Sequence, residues 1–172
     1  DLGARAVRLV AGKDPGDARR AEGMKALADS IHQFCEYAKQ EGDIQIILKI
    51  FDRNIDKESL IGPFSDASAI AQEIGREHGN FGLLADLSHF PLLGEKPEEA
   101  IPLVKDYLRH AHIGNCIMRD RRHPAYGDLQ PRFGIEGGEI DTEDVARYFE
   151  VLWNNGFFRQ QEMPVISAEV RP

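Results

Sequence analysis

The chain has 172 residues, enough for one domain with a real core and too few for two comfortable ones, and carries 21 Lys and Arg against 29 Asp and Glu, a net charge of −8. That charge repels a phosphate backbone and offers no broad basic face, so general nucleic-acid binding is not expected. No apolar run approaches the roughly 18 uncharged residues of a membrane span, and the N-terminus lacks the basic segment and apolar core of a signal peptide, so a soluble chain is expected.

In chain order, "ARAVRLVAG" alternates as a strand does, and "GKDPGD" after it is turn chemistry. From Asp17 to Glu41 the residues Ala21, Met24, Leu27, Ile31, Phe34 and Ala38 recur at three- and four-residue steps, predicting a helix that Gly42 can close. "IQIILKIFD" reads as a strand buried on both faces. Ser65 or Asp66 is the expected cap of a second helix carrying Ile70, Ala71 and Ile74 and ended by Gly79, and "FGLLADLSH" is a third strand. Pro97 fits the first turn of a third helix with Ile101, Val104 and Leu108 inward, followed by the strand "HAHIGNC". Residues 117–140, rich in Gly, Pro, Arg and His, make a loop of the length usually kept for function. Asp141 caps a fourth helix with Val145, Phe149, Leu152 and a packed Trp153, and "MPVISAEVRP" is a fifth strand. Cys35 and Cys116 form no CxxC, which suits a reducing cytoplasm better than a disulfide framework.

Strands alternating with helices predict an α/β domain with a parallel sheet, in which chemistry gathers at the C-terminal ends of the strands. Those ends carry Lys49 and Asp52, Asp86 and His89, His110 and His112 with Asn115, and Glu169 with Arg171. A carboxylate, an imidazole and a second carboxylate from successive strands suit a divalent cation such as Mn, Mg, Co or Zn. Each residue alone also has an ordinary reading, since a strand-end Asp often caps a turn and a lone His is more often structural. The repetition over three consecutive units favours a site.

The segments "FGLLADLSHFPLLGE", "HAHIGNC", "HPAYGDLQPRFGIEGGEID" and "VISAEVRP" resemble the sugar phosphate isomerase/epimerase family, which has the xylose-isomerase-like TIM barrel. The resemblance runs over the whole chain, with D-x-x-H and H-x-H-x-G its most specific parts. It implies a metal held by Asp86, His112 and Glu169, with His89 touching substrate oxygens. The family's first ligand, a Glu, is here Lys49 in "ILKIFDR". An ammonium has no lone pair to give a metal. Three arrangements stay open: metal on Asp86, His112, Glu169 and water; Asp52 swinging in; or Lys49 in the cation's place, leaving an inactive site.

A barrel of this kind takes about 250 residues. The segments match its fourth to eighth strands, so a partial barrel is expected, with open edges that a further segment or a second copy of the chain would cover. The chain begins at Asp1 rather than methionine, in keeping with part of a longer protein. The implied function is a sugar or sugar phosphate isomerase or epimerase that removes a proton beside a carbonyl to give an enediolate. Glu169 is the expected base, and Lys49 stands where its usual partner would be. His89, Asn115, Arg119 and Arg171 are the candidates for substrate contact, Arg119 opening the basic run "RDRRH" that suits a phosphate; Tyr126, Arg132 and Phe133 are placed to line or cover the pocket. The other readings are a catalytically silent homologue and, against the net charge, a phosphodiesterase like the endonuclease IV group.

Overall fold

The computed structural model describes residues 3–42, 44–159 and 164–171. Strands β1 (Ala6–Leu9), β2 (Gln45–Lys49), β3 (Phe81–Asp86), β4 (Leu108–Ile113) and β5 (Val165–Ala168) form one sheet in sequence order, every neighbouring pair parallel. Helices α1 (Asp17–Gln40), α2 (Phe64–Gly75), the short α3 (His89–Leu93), α4 (Pro97–Val104) and α5 (Thr142–Asn154) supply the crossovers. This is half of a (β/α) barrel, as the strand and helix signals predict.

The two faces of the sheet differ in chemistry. Ile46, Leu48 and Ile50, then Leu83 and Ala85, then Ala111, join one apolar cluster with Ile31 and Cys35 of α1, Phe64, Ile70 and Ile74 of α2, and Tyr148 of α5. Each fully buried aliphatic or aromatic side chain of that set contributes about 1.5–3 kcal/mol. The alternate residues belong to the opposite face, which includes Arg8, Lys49, Asp86, His110 and His112. The irregularity between Leu83 and Leu84 shifts the β4 register by one residue, which brings His110 opposite Leu84 and His112 opposite Asp86.

Four local expectations are corrected. Helix α2 starts at Phe64, and neither Ser65 nor Asp66 caps it; the Glu95 carboxylate accepts the Phe64 N–H at 3.2 Å, while Asp66 takes Arg20. The same helix stops at Gly75, whose position leaves no room for a side chain beside the Tyr107 ring, four residues before the expected Gly79. Leu108 opens β4 rather than closing α4, because the chain leaves the helix after Val104. Trp153 is 56% exposed, with the Phe158 ring and the Arg159 guanidinium beside it, instead of packing in the core.

Candidate active site at the strand ends

Four of the predicted residues meet at one point. Lys49 at the end of β2 reaches Asp86 Oδ2 at 2.7 Å and Glu169 Oε2 at 2.8 Å. His112 Nδ1 donates to the same Glu169 oxygen at 2.8 Å and lies 3.5 Å from Asp86 Oδ2. Glu169 follows β5 directly, its N–H bonded to the Ile113 carbonyl, so the sheet's parallel register carries it beside His112. Lys49 is 2% exposed, whereas the Glu169 side chain is 38% exposed and faces the opening.

Asp86 is held from both sides. Its Oδ1 accepts the Ser88 N–H and hydroxyl, which leaves Oδ2 for the cations. Burial alone would raise its carboxyl, but the His112 bond and the Lys49 charge outweigh that and hold it well below the usual carboxylate range. His110, one strand period deeper, bonds to Ser167 and is pushed down to about 4, first by burial and then by the charges of His112, Arg8 and Lys49.

Gln130, from the long loop, joins this cluster to a second one. Its amide Nε2 donates to Ser88 Oγ at 2.8 Å and to Asp128 Oδ1 at 2.6 Å, and lies 3.5 Å from Asp86 Oδ2. Asp128 lies 3.3 Å from His89 Nε2 and 3.2 Å from Lys57 Nζ. A cavity of about 290 Å³ opens between the clusters, bordered by Lys49, Phe51, Lys57, Gln130, Glu169 and Arg171.

The remaining candidates lie elsewhere. His89 is buried edge-on against Phe51 and does not border the cavity; neither ring nitrogen has a hydrogen bond among the described residues. Asp52 does not swing in: its carboxylate accepts the N–H groups of Ile55, Asp56 and Lys57 and shapes that turn. Asn115 is fully buried, its oxygen taking the N–H groups of Cys116 and Ile140 and its amide the Arg132 carbonyl, so it holds the loop rather than facing the cavity. Arg119 is exposed beside Glu139. Tyr126, Arg132 and Phe133 stay off the cavity wall, and Phe133 packs against the core. The composition of the long loop marks it as functional, but nothing in "GDLQPR" singles out Asp128 and Gln130, whose roles arise from contacts with residues far away in sequence, Asp86 and Ser88 for Gln130 and Lys57 and His89 for Asp128.

Asp86, His112 and Glu169 each offer a ligand atom, all within 4.8 Å of one another, a group able in kind and span to hold a divalent cation. The ammonium of Lys49 stands within 2.7–2.8 Å of two of those three ligands. Two like unit charges about 4 Å apart repel by about 4 kcal/mol at an effective dielectric of roughly 20, and by about twice that when one is divalent. With Lys49 in place the residues do not fit a metal.

Residues 1–150 match the family described as "Xylose isomerase-like TIM barrel", and the chain belongs to that family. No curated protein matches the sequence. Among solved structures, the chain is similar to an AP endonuclease of family 2 from Brucella melitensis, with TM-score 0.68 and 16% identity over 99% of this chain and 57% of that one. It is similar to 3-keto-D-glucoside 4-epimerase from E. coli, with TM-score 0.65 and 18% identity over 97% and 57%. D-allulose 3-epimerase from Methylomonas sp. gives TM-score 0.71 and 19% identity over 99% and 51%. At such identities the likeness is one of fold. The chain spans little more than half the length of each of these proteins.

Proposed function

We propose that the chain carries the proton-transfer side of a sugar isomerase or epimerase acting on a small polyhydroxy carbonyl compound. The observation that carries this reading is Glu169, a half-exposed carboxylate on the cavity wall whose Oε2 is fixed by Lys49 and His112. No bond to its Oε1 occurs among the described residues, so one oxygen is left to take a proton from a substrate carbon.

In that step the C–H bond beside the carbonyl breaks and its proton goes to Glu169. The electron pair forms the C=C bond of an enediolate, and the former carbonyl oxygen becomes an oxyanion. Lys49, at the cavity floor, offers that oxygen a positive charge. Return of the proton from Glu169 to the neighbouring carbon isomerises the sugar, whereas epimerisation needs a second group to deliver a proton to the opposite face of the same carbon, and the carboxylate usual in that role is replaced by Lys49. Asp86 and Ser88 keep Lys49 in position. Arg171 at the cavity edge is the candidate for a substrate hydroxyl or phosphate.

The full-length protein that carries this chain, incubated with ketopentoses and ketohexoses in D2O, should exchange the hydrogen beside the carbonyl with solvent, read by proton NMR. Glu169→Gln should stop the exchange. Complete absence of exchange across the panel would favour the silent homologue, a reading that Lys49 among the acids also supports. Phosphodiester hydrolysis has less support, because the strand ends hold a single group of three metal-ligand residues among the described residues.

A further inference from the structure

We propose that the Lys49 ammonium takes the place of a divalent cation among Asp86, His112 and Glu169, making this a site whose positive charge is built into the chain. The proposal concerns the same site as the function above and does not depend on the reaction assigned to it.

Three observations converge. First, Nζ sits at ordinary ammonium–carboxylate distances from both acids, 2.7 Å from Asp86 Oδ2 and 2.8 Å from Glu169 Oε2. Asp86 and Glu169 are the two carboxylates among the three residues that a shared cation would draw on. Second, Lys49 closes a central strand, 2% exposed, with its Nζ 4.9 Å from the centre of the Phe51 ring. Moving the ammonium away from both acids would break two charge-assisted contacts and leave the buried Asp86 carboxylate without the Lys49 charge beside it. Third, His112 Nδ1 lies 2.8 Å from Glu169 Oε2 and 3.5 Å from Asp86 Oδ2, so the three residues already close on the same two oxygens that the ammonium holds.

The charges agree with this arrangement. Two carboxylates face one ammonium, and a divalent ion added to the group would have to share both acids with a fixed like charge. Of the three N–H groups of Lys49, two serve Asp86 and Glu169. The third is left for an oxygen entering the cavity that Lys49 borders. The ligand class that follows is a compound with an anionic or strongly polarised oxygen, bound through an ammonium.

Manganese titration of the full-length protein, followed by the electron paramagnetic resonance of free Mn2+ and by calorimetry, tests the proposal without turnover. The wild type should leave the free-ion signal unchanged at millimolar concentrations. Lys49→Glu should take up one Mn2+ per chain, tighter than wild type by roughly 100-fold or more, and Asp86→Asn should remove that uptake. Should Lys49→Glu fail to fold, Lys49→Gln is read in the same way, since it deletes the ammonium and keeps the three ligands. Wild-type uptake of one Mn2+ that Asp86→Asn abolishes would overturn the proposal. So would folded Lys49 variants that stay as silent as the wild type, because the three residues would then be no cation place at all. Proton exchange with sugars is a separate measurement, and its outcome leaves this one intact.

Discussion

Removing one member of a buried ion pair is costlier than never having had the pair, because the survivor keeps its charge without a counter-ion. Lys49 and Asp86 are 2% and 0% exposed in their side chains. Lys49→Met should therefore lower the unfolding free energy by about 3–5 kcal/mol in urea titration, and adding Asp86→Asn should recover part of the loss. His110 adds a pH dependence of defined sign. Its ring titrates at about 4 in the folded chain against an ordinary 6.5. The unfolded chain thus takes up a proton that the folded chain refuses, and stability falls as pH falls between those values. Urea midpoints measured across that window should decline for the wild type and flatten for His110→Gln. The convergence of Lys49, Asp86, His112 and Glu169 was legible in the sequence because parallel strands in register bring their last residues to one level. Asp52 takes the ordinary turn-capping role that a strand-end Asp often has, whereas the burial of Asn115 on the Cys116 and Ile140 N–H groups was not legible, being a matter of loop path rather than residue type.

Elements obey the same distinction between local and distant causes. Helix α5 announces itself: Asp141 accepts the Glu143 N–H, and Asp144 returns a bond to the Asp141 N–H. Asp141→Ala should lower stability by about 1 kcal/mol in thermal or urea unfolding, while Asp141→Asn should cost less. Helix α2 carries cap-type residues in Ser65 and Asp66 that do not cap it, because its first N–H is met by Glu95, 31 residues away. Leu108 lies in a different element from the one its spacing predicts, for a related reason. An apolar residue four positions after Val104 continues a helical stripe as well as it starts a buried strand, and only the chain's exit at Val104 decides between them. Trp153 shows the limit of periodicity, since it keeps a stripe-like spacing and yet lies beyond the edge of the packed face.

At the scale of the molecule, five parallel strands leave β1 and β5 with one neighbour each among the described residues. Both edges carry exposed valines, Val7 at 42% and Val165 at 52%. Unpaired parallel edges with apolar side chains recruit further strands. The 172-residue chain alone should therefore associate in sedimentation velocity as concentration rises, and Val7→Lys with Val165→Lys should reduce that association. A chain that stays monomeric in both forms would show the edges to be harmless. The structures it resembles are about twice as long, in keeping with edges that further sequence or a second copy covers.

The lysine at the end of β2 has one more consequence, which concerns supply. An ion must be captured from whatever the surroundings provide, and its occupancy rises and falls with competition from other proteins and from chelators. A charge carried on a side chain arrives with translation, at fixed stoichiometry, and cannot be exchanged for a wrong element. On the proposal that Lys49 replaces the ion, the strand ends of this chain are finished when folding is finished, and scarcity of transition metals has no purchase on them.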